Sequence, residues 1–216
     1  MKNLTLRLSA AMWARVLVLW LILAVGSLVV GGIAVGMGKY IQDNVHTVLS
    51  SQQISFSTAD KMADVEKAIP GMVDNAGLPL TTGNQAQVYS NLIALHIKEA
   101  ADNTKLSDGK TTLSGATYAT LGSTVNALKA TLATVTKAGD ATAIAAAQSD
   151  VDKASGLRAT MLTGNTLIGT LLSAYGWDNV GTGVTIAGIA IMVLAVVFFV
   201  LFIFEWRRGH LPAATA

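Results

Sequence analysis

Apolar residues follow two patterns along this chain. Residues 16–38 and 183–204 are long runs without a single charge, and between them apolar positions return every three or four residues. Built as helix at about 1.5 Å per residue, each run reaches roughly 33 Å, enough to cross a hydrocarbon core of about 30 Å. The pattern predicts two transmembrane helices. A cleavable signal peptide competes for the first run, but its apolar region is longer than the roughly 7–15 residues such a peptide uses. Helical spacing persists beyond it at Ile41, Val45 and Leu49, so a helical stalk is expected to continue outward.

The middle of the chain reads as helices separated by breakers. A short helix over 58–68 should end ahead of Pro70, because proline disfavours helical geometry in the residue before it. Residues 71–83, with Gly77 and Pro79, read as loop. Asn84 is a candidate N-cap for a helix over 84–102, with Val88, Leu92 and Leu95 on one face. Tyr118, Leu121, Val125, Leu128, Leu132 and Val135 mark the apolar stripe of a helix over 114–137. After Gly139 and Asp140, a stretch over 141–174 is helical in pattern, and its Gly156, Gly164 and Gly169 predict breaks or close contacts. The expected fold class is all-α: two transmembrane helices flanking an extracytoplasmic helical bundle. Its boundaries are a tail at 1–15, spans at 16–38 and 183–204, an outer domain at 39–182 and a second tail at 205–216.

Charge adds an orientation. Lys2, Arg7 and Arg15 precede the first span and Arg207 and Arg208 follow the second, opposed only by Glu205. Short basic flanks stay on the cytoplasmic side, which predicts a plasma-membrane protein with both termini inside. Trp13 and Trp206 then fall at the inner interface, and Tyr40, Tyr175 and Trp177 at the outer one, where amphipathic rings anchor a span. These flanks also account for the basic pI near 8.9, so it does not imply a nucleic-acid partner. The absence of cysteine excludes disulfides, thiolate metal sites and thiol catalysis. Alanine and threonine abound in the middle segment, predicting a core of modest buried area that gains from partner contacts.

Candidate chemistry is sparse. His96 and Glu99, one helical turn apart, make at most half a metal site, and no second such pair accompanies them. No nucleophile elbow, phosphate loop or dinucleotide fingerprint occurs. Asp140, Asp150 and Asp152 read as a charged helix face. The spans hold no ionisable residue, which argues against a proton or ion pathway. No catalytic residue, metal or cofactor is expected. What the spans do carry is small residues four apart: Ser27 with Gly31, Gly32 with Gly36, and Gly183 with Ala187. Such spacing makes a flat face for close helix packing in lipid, met equally by the chain's own second span or by another subunit.

Several segments resemble a family of small two-span membrane proteins from actinobacteria, whose members often carry the label of aromatic-ring-opening dioxygenases. The resemblance rests on Ile54-Ser55-Phe56, on the run from Ile93 through His96 and Glu99 to Ala100, and on Gly109-Lys110-Thr111. It continues through Arg158-Ala159-Thr160-Met161-Leu162 and the run from Thr166 to Tyr175. It covers nearly the whole chain, although residues 114–150 look longer than the family's middle segment. It implies an actinobacterial origin and the same topology, and supplies no activity or site residues. The dioxygenase label itself conflicts with the chemistry, since it demands an iron site for which the chain has no ligand set. The expected function is therefore a non-catalytic accessory subunit of a larger membrane complex, an oxidoreductase or a membrane monooxygenase, with other integral membrane subunits and the lipid bilayer as partners. The alternative is an extracytoplasmic ligand-sensing or signalling module, weakened because only about 12 residues follow the second span.

Overall fold

A computed structural model describes residues 10–209, which form two compact units: residues 10–44 with 177–209, and Val45–Gly176. Lys2, Arg7 and His210 lie outside the described residues. The described chain is all-α, with helices α1 (Ala10–Ser51), α2 (Asp64–Lys67), α3 (Gly83–Asn103), α4 (Tyr118–Ala138) and α5 (Ala141–Gly209), and no strand beyond two isolated bridges.

The first unit consists of an antiparallel pair, the greater part of α1 and the C-terminal half of α5. Neither helix contains proline, and both are apolar and long enough to cross a membrane. The outer-domain limits drawn at the ends of the uncharged runs, 39 and 182, fall inside this unit. The pair stays packed past the end of the uncharged run, with Gln42 Nε2 donating to Thr182 Oγ1 at 2.8 Å.

The second unit has two cores. One gathers Val45 and Leu49 from the end of α1, Phe56, Met62, Met72 and Leu80 from the connecting segment, Ala86 and Leu92 from α3, and Leu171 from α5. The other joins Ala101 of α3, Leu113 of the loop ahead of α4, Leu121 and Val125 of α4, and Ala154, Leu157 and Met161 of α5. Met72, Leu80 and Leu121 are wholly buried, so large side chains sit at the centre of a unit that is alanine- and threonine-rich by composition. The methionines here act as adaptable apolar fill.

Local chemistry corrects several predicted boundaries. The helix expected over 58–68 shrinks to α2. Ahead of it, the chain runs extended beside 77–80, with Phe56 N–H donating to Leu78 O (3.0 Å) and Leu80 N–H to Ile54 O (2.9 Å). At the start of α3 the cap is Thr82, not Asn84. Gln85 N–H donates to Thr82 Oγ1 (3.3 Å) and Thr82 N–H to Gln85 Oε1 (3.1 Å), a reciprocal capping box. Thr117 and Thr120 make the corresponding box for α4, which starts at Tyr118 and not at 114. Gly139 closes α4 at φ +80°, a left-handed conformation that suits glycine, and Asp140 then caps the first turn of α5.

The breaks predicted at Gly156, Gly164 and Gly169 do not occur, and α5 runs unbroken for 69 residues. Glycine lowers helix propensity by about 1 kcal/mol, too little to end a helix that packs on its neighbours. Gly164 is instead a close contact: a Cβ there would strike Ile97, with its Cγ1 only 2.7 Å away.

Candidate helix-pairing seam

The most specific geometry in the first unit is a contact between backbones. A Cβ added to Gly31 would lie 2.8 Å from Gly188 O and 2.6 Å from Met192 Cγ, and one added to Gly188 would lie 2.8 Å from Gly31 O. One heptad further toward the C-terminus of α1 the relation repeats. A Cβ on Gly38 would approach Gly181 O to 2.6 Å and collide with Thr185 Oγ1, while one on Gly181 would approach Gly38 O to 2.9 Å. A heptad in the other direction, Ala24 and Ala195 are both buried. Small residues at 24, 31 and 38 thus line α1, and at 181, 188 and 195 line α5. At each glycine the obstacle includes a carbonyl oxygen that cannot step aside, so no side chain fits without separating the helices.

Spacing explains why these positions and not others meet. Residues seven apart return to within about 20° on a helix turning 100° per residue, so one strip of each helix can stay in contact over two heptads. Gly32 is turned about 100° away from Gly31. Of the candidates with spacing of four, Gly31 enters the seam and Ser27 is half-buried. Gly32, Gly36, Gly183 and Ala187 are exposed, with nothing within 4 Å of a Cβ built on any of the three glycines. Gly38, Gly181 and Gly188 escaped a search for spacing of four, and a search for small residues seven apart would have found them.

The ring residues predicted as interfacial anchors sit near the ends of the pair. Tyr40, Trp177 and Trp206 are exposed, and Trp13 is half-buried. The C-terminal part of α5 carries an aromatic ladder, Phe199 to Phe202 (6.2 Å) and Phe202 to Trp206 (6.1 Å), while Trp20 of α1 stacks on Phe198 at 5.9 Å.

Titratable groups of the second unit are engaged locally. His96 does not turn to Glu99; its Nε2 lies 2.8 Å from Oε1 of Glu66, whose Oε2 accepts the Ala63 N–H that caps α2. Those two bonds, led by the one from His96, hold the Glu66 carboxyl below its ordinary range. Asp102 is lowered by Ser114 and Lys98, and the Lys98 ammonium is raised in turn by Asp102. Asp108 is lowered by the Thr111 hydroxyl and by the Thr111 and Lys110 N–H groups in the 108–111 turn. Among the described residues, no three His, Asp or Glu side chains converge as a metal site. Asp150 binds the turn instead, accepting from Ser107 N–H at 2.6 Å.

No protein-family model matches this chain, and no curated protein or solved structure is significantly similar to it.

Proposed function

We propose that the chain is a two-span membrane protein serving as a non-catalytic accessory subunit of a larger membrane complex, an oxidoreductase or membrane monooxygenase, with both termini cytoplasmic and the middle domain outside. One observation carries the proposal. The helix pair satisfies its closest contacts with Gly31, Gly38, Gly181 and Gly188, and leaves Gly32, Gly36, Gly183 and Ala187 on its outer surface. In lipid, helices associate through small residues that let backbones approach, so an uncovered set is a surface on which further helices can seat. Around it, exposed Ile33, Ile186, Val193 and Val196 suit acyl chains or apolar partner helices. The orientation rests on the basic flanks. Likeness to the actinobacterial two-span family is part of the same proposal.

The test is extraction from native membranes in mild detergent, followed by native gel electrophoresis and crosslinking mass spectrometry. The chain should migrate with integral membrane partners and crosslink through the faces bearing Gly32 and Gly183. Recovery of a monomer alone would overturn the assignment. Substituting Gly32→Ile and Gly183→Ile should release the chain from the complex while leaving its own helix pair intact.

A further inference from the structure

Arg158, on α5 within the second unit, is half-buried, and the fold provides no acceptor for its guanidinium. Its guanidinium lies over the Tyr118 ring, with Cζ 4.2 Å from the centroid. Its Nε is sealed from solvent without a hydrogen-bond partner. Arg158 forms no ion pair among the described residues, and the neighbours that the fold gives it explain why. α4 contains neither Asp nor Glu, and the residues one turn away on α5, Ala154, Ser155, Met161 and Leu162, are uncharged. Asp102 of α3 is already taken by Lys98 and Ser114.

The geometry nevertheless holds the group in place. Stacking on Tyr118 fixes the guanidinium plane without consuming an N–H, since a ring face attracts the cation and accepts no directed bond from its edge. Gly122 completes the setting: a Cβ there would lie 3.6 Å from Arg158 Nε and 3.8 Å from Nη2, ordinary contact distances. Tyr118 is the first residue of α4, so the positive end of that helix adds to the field at the same place. A planar fork of donors, oriented in advance and lacking an internal counter-charge, matches carboxylate or phosphate oxygens.

We infer that Arg158 is an oxyanion-binding site, taking a carboxylate or phosphate group by charge-assisted hydrogen bonds from its unsealed Nη groups while Tyr118 and the packed Nε edge hold the fork in position. This inference is independent of the accessory-subunit proposal, because it concerns one side chain of the second unit and needs no partner helix.

The test uses the full chain in detergent, labelled with 15N-arginine, with Arg158→Lys identifying the Arg158 Nε signal by its loss. Sodium phosphate and sodium acetate are titrated in separate arms against sodium chloride at matched ionic strength. The Arg158 signal should move saturably with phosphate or acetate and stay still in chloride, and the arm with the lower midpoint tells which oxyanion is preferred. Calorimetry should show that affinity weakens at least about tenfold in Arg158→Gln, consistent with losing a charge-assisted pair. A signal unmoved by both anions, or moved equally by chloride, would overturn the inference, as would unchanged affinity in Arg158→Gln. Should the Arg158 variants fail to fold, Tyr118→Leu identifies the signal instead, by removing the ring-current shift that stacking imposes.

Discussion

Gly188 and Gly183 stand five positions apart on one helix, and leucine should be costly at the first and harmless at the second. At Gly188 a side chain meets Gly31 O at 2.8 Å and Val35 N at 2.7 Å, so the helices must part. At Gly183 there is open space. Overpacking of this kind costs about 1–3 kcal/mol. Gly188→Leu should therefore lower the unfolding midpoint of the detergent-solubilised chain by roughly 2–12 °C, and Gly183→Leu should leave it unchanged. Thermal unfolding followed by circular dichroism reads both. Equal midpoints for the two variants would mean that the glycine seam does not hold the pair together.

At the scale of elements, α2 shows how little a short helix contributes by itself. It has four residues, none of them buried, and is tied down by Glu66, which caps Ala63 N–H and bonds His96 of α3. Because the Glu66 carboxyl is held below its ordinary range in the fold, the stability it contributes is fully present above the unfolded carboxylate pKa. That stability is lost as pH falls through the lowered value. Asp102 and Asp108 act in the same direction. Acid should thus weaken the second unit below about pH 4.5. Glu66→Gln should flatten that part of the pH profile and leave the cap in place, because an amide oxygen still accepts the Ala63 N–H. A pH series of melts on wild type and variant makes the comparison. Parallel curves would remove Glu66 from the account.

For the whole molecule, the two long apolar helices expose most of their large side chains, among them Ile22, Ile33, Ile186 and Phe204. Water would tolerate that surface poorly, and a bilayer accommodates it. Alkaline carbonate should leave the chain in the membrane pellet. In intact cells an added protease should cut within the exposed connection around Asp60 and Lys61 and spare an N-terminal tag, if both termini lie inside as proposed. Release into the carbonate supernatant would contradict membrane insertion, and loss of the tag would contradict the orientation.

The apolar runs, the caps and the all-α class are local properties, and the sequence by itself determined them. A charge-free run long enough to span satisfies its backbone only as helix, and a glycine followed by aspartate ends one helix and starts the next at residues 139 and 140. What required the tertiary structure was every choice among equivalent local options. Gly164 and Gly169 look alike in sequence, but Ile93 and Ile97 pack on only one of them. Glycines four apart and glycines seven apart both promise close packing, and the crossing geometry of α1 and α5 selected the heptad set. Arg158 carries no mark in the sequence of being without an acid, because the absence of a counter-charge is a property of the neighbours that folding brings to it.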